Sequence, residues 1–101
     1  MQDYVLNEIK EIAIKYEVEK VVLFGSRARG DHSETSDYDI AIFEKDLSLI
    51  SKTLLCSDIE EIHTLKKIDV VFVNKDLNDK VMENIKNEGV VIYEQARNQT
   101  D

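Results

Sequence analysis

Proline is missing from this 101-residue chain, glycine occurs three times and cysteine once. With so few breakers and 43% hydrophobic residues, the composition is that of one folded domain, not of a disordered segment. This length buries a real core but not a second lobe. The lone Cys56 excludes an internal disulfide and suits a reducing, cytoplasmic setting. Within Leu54-Leu55-Cys56 it is expected to be a small buried hydrophobe. No run of about 18 apolar residues occurs, so no membrane span or membrane partner is expected. Met1-Gln2-Asp3-Tyr4 lacks the basic and apolar regions of a secretion signal. Positive charge is scarce too: 13 Lys and Arg against 21 Asp and Glu leave a net charge of −8. Nonspecific nucleic-acid binding draws on Lys and Arg, so direct contact with nucleic acid is not expected. An acidic surface better suits a basic protein partner or bound metal cations.

Neither a repeat nor a linker divides what is present. Val5, Ile9, Ile12 and Tyr16 recur at helical spacing and predict an amphipathic first helix. Val21 to Phe24 reads as a buried strand, Tyr38 to Phe43 as a second, Ile68 to Val73 as a third and Val90 to Tyr93 as a fourth. Leu47 to about Leu65 is expected to be helical, either continuously or with Ser57-Asp58-Ile59-Glu60 as a capping box that restarts the helix. Leu77, Val81 and Ile85 mark a last helix that Gly89 stops. Tyr4, Tyr16 and Tyr93 read as aromatics at the edge of the core. The order predicts an α/β (α+β) fold: a small mixed four-stranded sheet with helices packed mainly on one face. The domain spans residues 1–94, and 95–101 form a polar tail.

Gly25-Ser26-Arg27-Ala28-Arg29-Gly30 follows the first strand directly, and Ser36-Asp37-Tyr38-Asp39 opens the second. Gly25 lets the backbone approach an anion with no Cβ in the way. A short helix from Ser26 to Arg29 would present N–H groups to phosphate, with the Ser26 hydroxyl and Arg27 or Arg29 adding bonds. Neither Walker nor dinucleotide spacing is present. Along a strand, residues two apart share a face, so Asp37 and Asp39 point together if the strand already begins at Asp37. Tyr38 then points toward the helices. Paired carboxylates repel each other, and a divalent cation relieves that conflict. Asp69 is a lone acid in an apolar strand, where an unpaired charge is costly. If the second and third strands are neighbours, Asp37, Asp39 and Asp69 form a three-carboxylate cluster for two metal ions, with Asp69 nearest the nucleophile. Each piece alone is ordinary; their conjunction points to chemistry on a magnesium-bound nucleoside triphosphate. His32, in the turn, is expected to be solvated and His63 to lie on the surface, and neither has zinc-site company.

These residues resemble the minimal nucleotidyltransferase (MNT) family of the polymerase β superfamily, whose pattern is G-S, about ten residues, D-x-D and a third acid on a later strand. Gly25, Ser26, Asp37, Asp39 and Asp69 match it position by position, over nearly the whole chain. The resemblance implies the polymerase β-like nucleotidyltransferase fold, with Asp37 and Asp39 holding two Mg²⁺ ions and Asp69 holding the catalytic one. Gly25 and Ser26 would take the β- and γ-phosphates of ATP, and AMP would pass to an acceptor hydroxyl. Larger members carry a further domain for base and acceptor, so those contacts are expected from another polypeptide. Small members of this kind resemble antitoxins that AMPylate a tyrosine of a HEPN-domain toxin. The alternatives are a binding antitoxin that acts by occupancy alone, and the catalytic subunit of a two-chain small-molecule nucleotidyltransferase.

Overall fold

Asp3 caps the first helix, its Oδ1 accepting from the Leu6 N–H at 3.2 Å. The computed structural model describes residues 3–30, 36–73 and 79–95. The elements run α1 (Tyr4–Tyr16), β1 (Lys20–Phe24), α2 (Ser26–Arg29), β2 (Tyr38–Phe43), α3 (Leu49–Glu60), β3 (Ile68–Val73), α4 (Asp79–Glu88) and β4 (Val90–Glu94). The sheet order is β3-β2-β1-β4. β1 lies antiparallel to β2 and β4, while β2 and β3 are parallel. A parallel neighbour requires a crossover rather than a hairpin, and α3 supplies it.

Alternation along the strands sorts the side chains onto two faces. Val21 and Leu23 of β1, with Tyr38, Ile40 and Ile42 of β2, pack against Val5, Ile9 and Ala13 of α1 and Leu55 and Ile59 of α3. Each large aliphatic side chain buried there contributes about 1.5–3 kcal/mol before chain entropy is set against it. On the opposite face Val22 and Ala41 meet Ile85 of α4, flanked by Phe24, Phe43, Val71 and Val73. Among the described residues α1 and α3 thus cover one face and α4 covers the other. No helix among the described residues is long and apolar enough to cross a membrane.

Several local expectations are corrected. Ser57 does not restart a helix: α3 is continuous, capped by the Ser48 hydroxyl on the Ser51 N–H at 3.1 Å. Its apolar residues point two ways, Leu55 and Ile59 inward while Leu49, Ile50 and Leu54 are exposed, which blurs its period. Gly89 does stop α4, its N–H donating to Ile85 O at 2.9 Å. It is suited to that place by space, because a Cβ would run into the Ile85 carbonyl and Val22 Cγ1. Tyr4 is exposed, not at the edge of the core. Cys56 is half-buried, and burial, with Glu60 nearby, pushes its thiol pKa up. Leu77, His32 and residues 96–101 of the polar tail lie outside the described residues.

Candidate active site

Gly25 leaves β1 with φ 79° and ψ −158°, a backbone conformation that only glycine adopts without strain. A Cβ there would strike Asp39 Oδ2. Antiparallel pairing produces this contact, since Phe24 and Asp39 are Cα partners in the β1–β2 register. The cradle and Asp39, separate in the sequence, therefore meet. Ser26 starts α2, its carbonyl accepting from the Gly30 N–H at 3.0 Å, and Gly30 closes the turn at φ 86°.

The parallel β2–β3 register sets Asp69 directly opposite Asp39. Side chains in register share a face, here the one carrying Ala41, Val71 and α4. Asp37 is exposed and stands one residue before β2 begins, so strand alternation does not fix its direction. Its charge still reaches the site. The Asp39 carboxyl is pushed above the ordinary carboxylate range by burial first, then by the charges of Asp69 and Asp37, while Arg29 pulls it down. Lys67 Nζ stands 3.5 Å from Asp69 Oδ1. Among the described residues no three His, Cys, Asp or Glu side chains are gathered closely enough to hold an ion as they stand. The donor set nonetheless fits a hard divalent cation: carboxylate oxygens only, in mutual repulsion at Asp39, beside a glycine that leaves room.

The two arginines have protein partners. Arg27 Nε donates to Ser36 O at 3.1 Å, and its guanidinium lies 4.0 Å from the centre of the Tyr38 ring. Arg29 donates to Glu88 Oε1 at 3.0 Å, tying α2 to the end of α4. Tyr38 points toward the helices and is buried, its hydroxyl donating to Asp3 Oδ2 at 2.8 Å. Burial, followed by that bond, raises the Tyr38 pKa to about 12. Asp3, Lys67 and Glu88 are the residues at this site that sequence reasoning missed. Lys67 had a signal, lying two positions before Asp69 at the mouth of the same strand. Asp3 and Glu88 had none, because only the tertiary fold brings them to their partners. His63 is exposed, as expected.

A family model described as "Polymerase beta, Nucleotidyltransferase" matches residues 7–98. A Methanocaldococcus jannaschii protein named "Putative protein adenylyltransferase MJ0604" is 37% identical over 81 residues, covering 75% of this chain and 79% of the relative. A solved structure of a toxin–antitoxin with AMP-PNP superimposes with a TM-score of 0.71 at 20% identity, over 89% of this chain and 73% of that one. A chain from the tri-AMPylated Shewanella oneidensis HEPN toxin in complex with MNT antitoxin gives 0.67 at 19% identity, over 94% and 74%. At these identities the solved structures establish the fold.

Proposed function

The chain belongs to the polymerase beta nucleotidyltransferase family, and from that membership we propose that it transfers AMP from ATP to a hydroxyl, on a tyrosine, of a HEPN-domain toxin and so acts as its antitoxin. The observation that carries this reading is the juncture of Gly25, Asp39 and Asp69, where the cradle rests on one acid and the next strand aligns another beside it. The partner class draws on the toxin–antitoxin complexes among the structural neighbours and on the relatives named for protein adenylyl transfer. The acidic balance of −8 suits a basic partner. ATP supply makes the cytoplasm the setting.

In this reading Gly25 and Ser26 receive the β- and γ-phosphates, with Arg29 adding charge at the end of α2. Asp37, Asp39 and Asp69 are the residues that would hold two magnesium ions. Bound magnesium neutralises triphosphate charge and makes an acceptor hydroxyl a better nucleophile. Asp69 takes the proton of the acceptor hydroxyl as its oxygen bonds to the α-phosphorus. The bond from that phosphorus to the bridging oxygen breaks, and pyrophosphate leaves.

The test is the intact mass of a candidate HEPN-domain partner, co-expressed with wild type or with Asp37→Ala/Asp39→Ala. Mass added in AMP steps by the wild type alone is the expected result. A stable complex with no added mass in either case would replace transfer by simple occupancy.

A further inference from the structure

Tyr38, the residue between the two acids, is held from several directions. Its hydroxyl donates to Asp3 Oδ2 at 2.8 Å, while Asp3 Oδ1 caps α1. Its N–H donates to Lys67 O at 2.9 Å, at the entrance to β3. Over its ring lies the Arg27 guanidinium, 4.0 Å from the centroid, and the same side chain donates from Nε to Ser36 O at 3.1 Å. Arg27 thus grips both the last residue before the acid pair and the residue within it. Stacking and directed donation from one rigid plane is a capacity of arginine that lysine lacks.

We propose that Arg27 is a positioning residue which, with Tyr38 and Asp3, fixes the turn from Ser36 into β2 and so sets the direction of Asp37 and Asp39. Resting on the transfer reading above, this gives Arg27 a task other than binding phosphate. The phosphate cradle and the acid strand are then fastened twice, once where Gly25 meets Asp39 and again where Arg27 of α2 meets Ser36 and Tyr38. An error in the approach of either acid falls on the chemical step more than on nucleotide binding.

The experiment compares full-length wild type with Arg27→Met and Arg27→Lys by residue-resolved hydrogen exchange, and separately by transfer kinetics on the co-expressed partner. In both variants the Tyr38 amide should exchange on the order of tenfold faster, while those of Ile40 and Ile42 keep their protection. kcat should fall on the order of tenfold with the KM for ATP nearly unchanged, and the magnesium needed for half-maximal rate should rise. Lysine, which keeps only the charge, should not restore either. Unchanged exchange at Tyr38, with a raised KM for ATP that lysine restores, would make Arg27 a phosphate contact and overturn the proposal. Faster exchange spread evenly over β2 would also overturn it, by showing a role in the whole fold. Lack of transfer by wild type would sink the transfer reading alone, because exchange is read without turnover.

Discussion

Replacing Tyr38 with phenylalanine keeps the buried ring and removes the hydroxyl that donates to Asp3 Oδ2 at 2.8 Å. A hydrogen bond to a charged acceptor contributes about 1.5–3 kcal/mol, so the variant should be less stable by that amount at neutral pH. The alkaline limb supplies a second, independent magnitude. Tyr38 has its pKa raised from 10.0 to about 12 in the folded protein. Below pH 10 the folded and unfolded chains both keep the phenolic proton, and its contribution is fully present. Between 10 and about 12 only the unfolded chain loses that proton, so stability falls as pH rises. The whole interval corresponds to about 2.7 kcal/mol. Phenylalanine has nothing to titrate, so the gap between wild type and variant should narrow steadily above pH 10 and close near 12. Urea unfolding followed by circular dichroism at neutral pH and at two alkaline points measures it. The remaining tyrosines and lysines titrate in both proteins and cancel in the difference. A gap that is the same at neutral and alkaline pH would refute the assignment of the shift to this buried hydroxyl.

Asp39→Asn should abolish transfer yet raise the melting temperature in chelator at neutral pH. The raised pKa of Asp39 means that its ionised form opposes folding above the ordinary carboxylate range, so a lower melting temperature would contradict the repulsion with Asp69 and Asp37. Gly25→Ala meets both a strained backbone region and the Asp39 carboxylate, and should cost about 1–3 kcal/mol in denaturant unfolding along with all activity. Wild-type stability there would show that the turn relaxes freely. Asp58 accepts from Lys15 and Tyr16, and these bonds hold its pKa below the usual range. Its contribution is present above the unfolded-state pKa and is lost as pH falls through the folded one. Asp58→Asn should therefore lower the melting temperature at neutral pH and leave it unchanged in strong acid; a difference that persists in acid would refute that reading.

The strands were legible because Val21–Phe24 is wholly apolar and Ile68–Val73 is β-branched or aromatic except at Asp69, and a single charged residue stands out in such a run. Asp69 could be picked as a candidate for that reason. That it faces Asp39 depends on strand order, which no local pattern encodes: β3 could have paired elsewhere with the same residues. The period of α3 was blurred because Leu49, Ile50 and Leu54 are apolar on its exposed side, and its end was overrun because Ile62 and Leu65 continue the apolar composition past Glu60. Arg27 was read by type as a phosphate ligand, and its contacts with Ser36 and Tyr38 became visible only once β1 and β2 had folded against each other. Gly89 was correctly placed for a reason other than the one its position suggested, since crowding by Val22 and Ile85, not handedness, excludes a side chain.

Among the described residues β3 has one neighbour in the sheet, β2, and its other side is the sheet's margin. Asp69 is thus bounded by β2 on one flank, with its side chain 47% exposed. An enzyme that swallows a small substrate surrounds it; this arrangement lets something much larger come alongside. If the acceptor is, as proposed, a tyrosine on the surface of a folded partner, it can approach the half-exposed Asp69 side chain from the sheet's margin, where no further strand lies among the described residues. Discrimination among acceptors then falls to the fit of two broad surfaces, and few side chains near the acids need read the hydroxyl itself. Such an enzyme can change its target through residues remote from its chemistry, while the glycine turn and the three acids stay as they are.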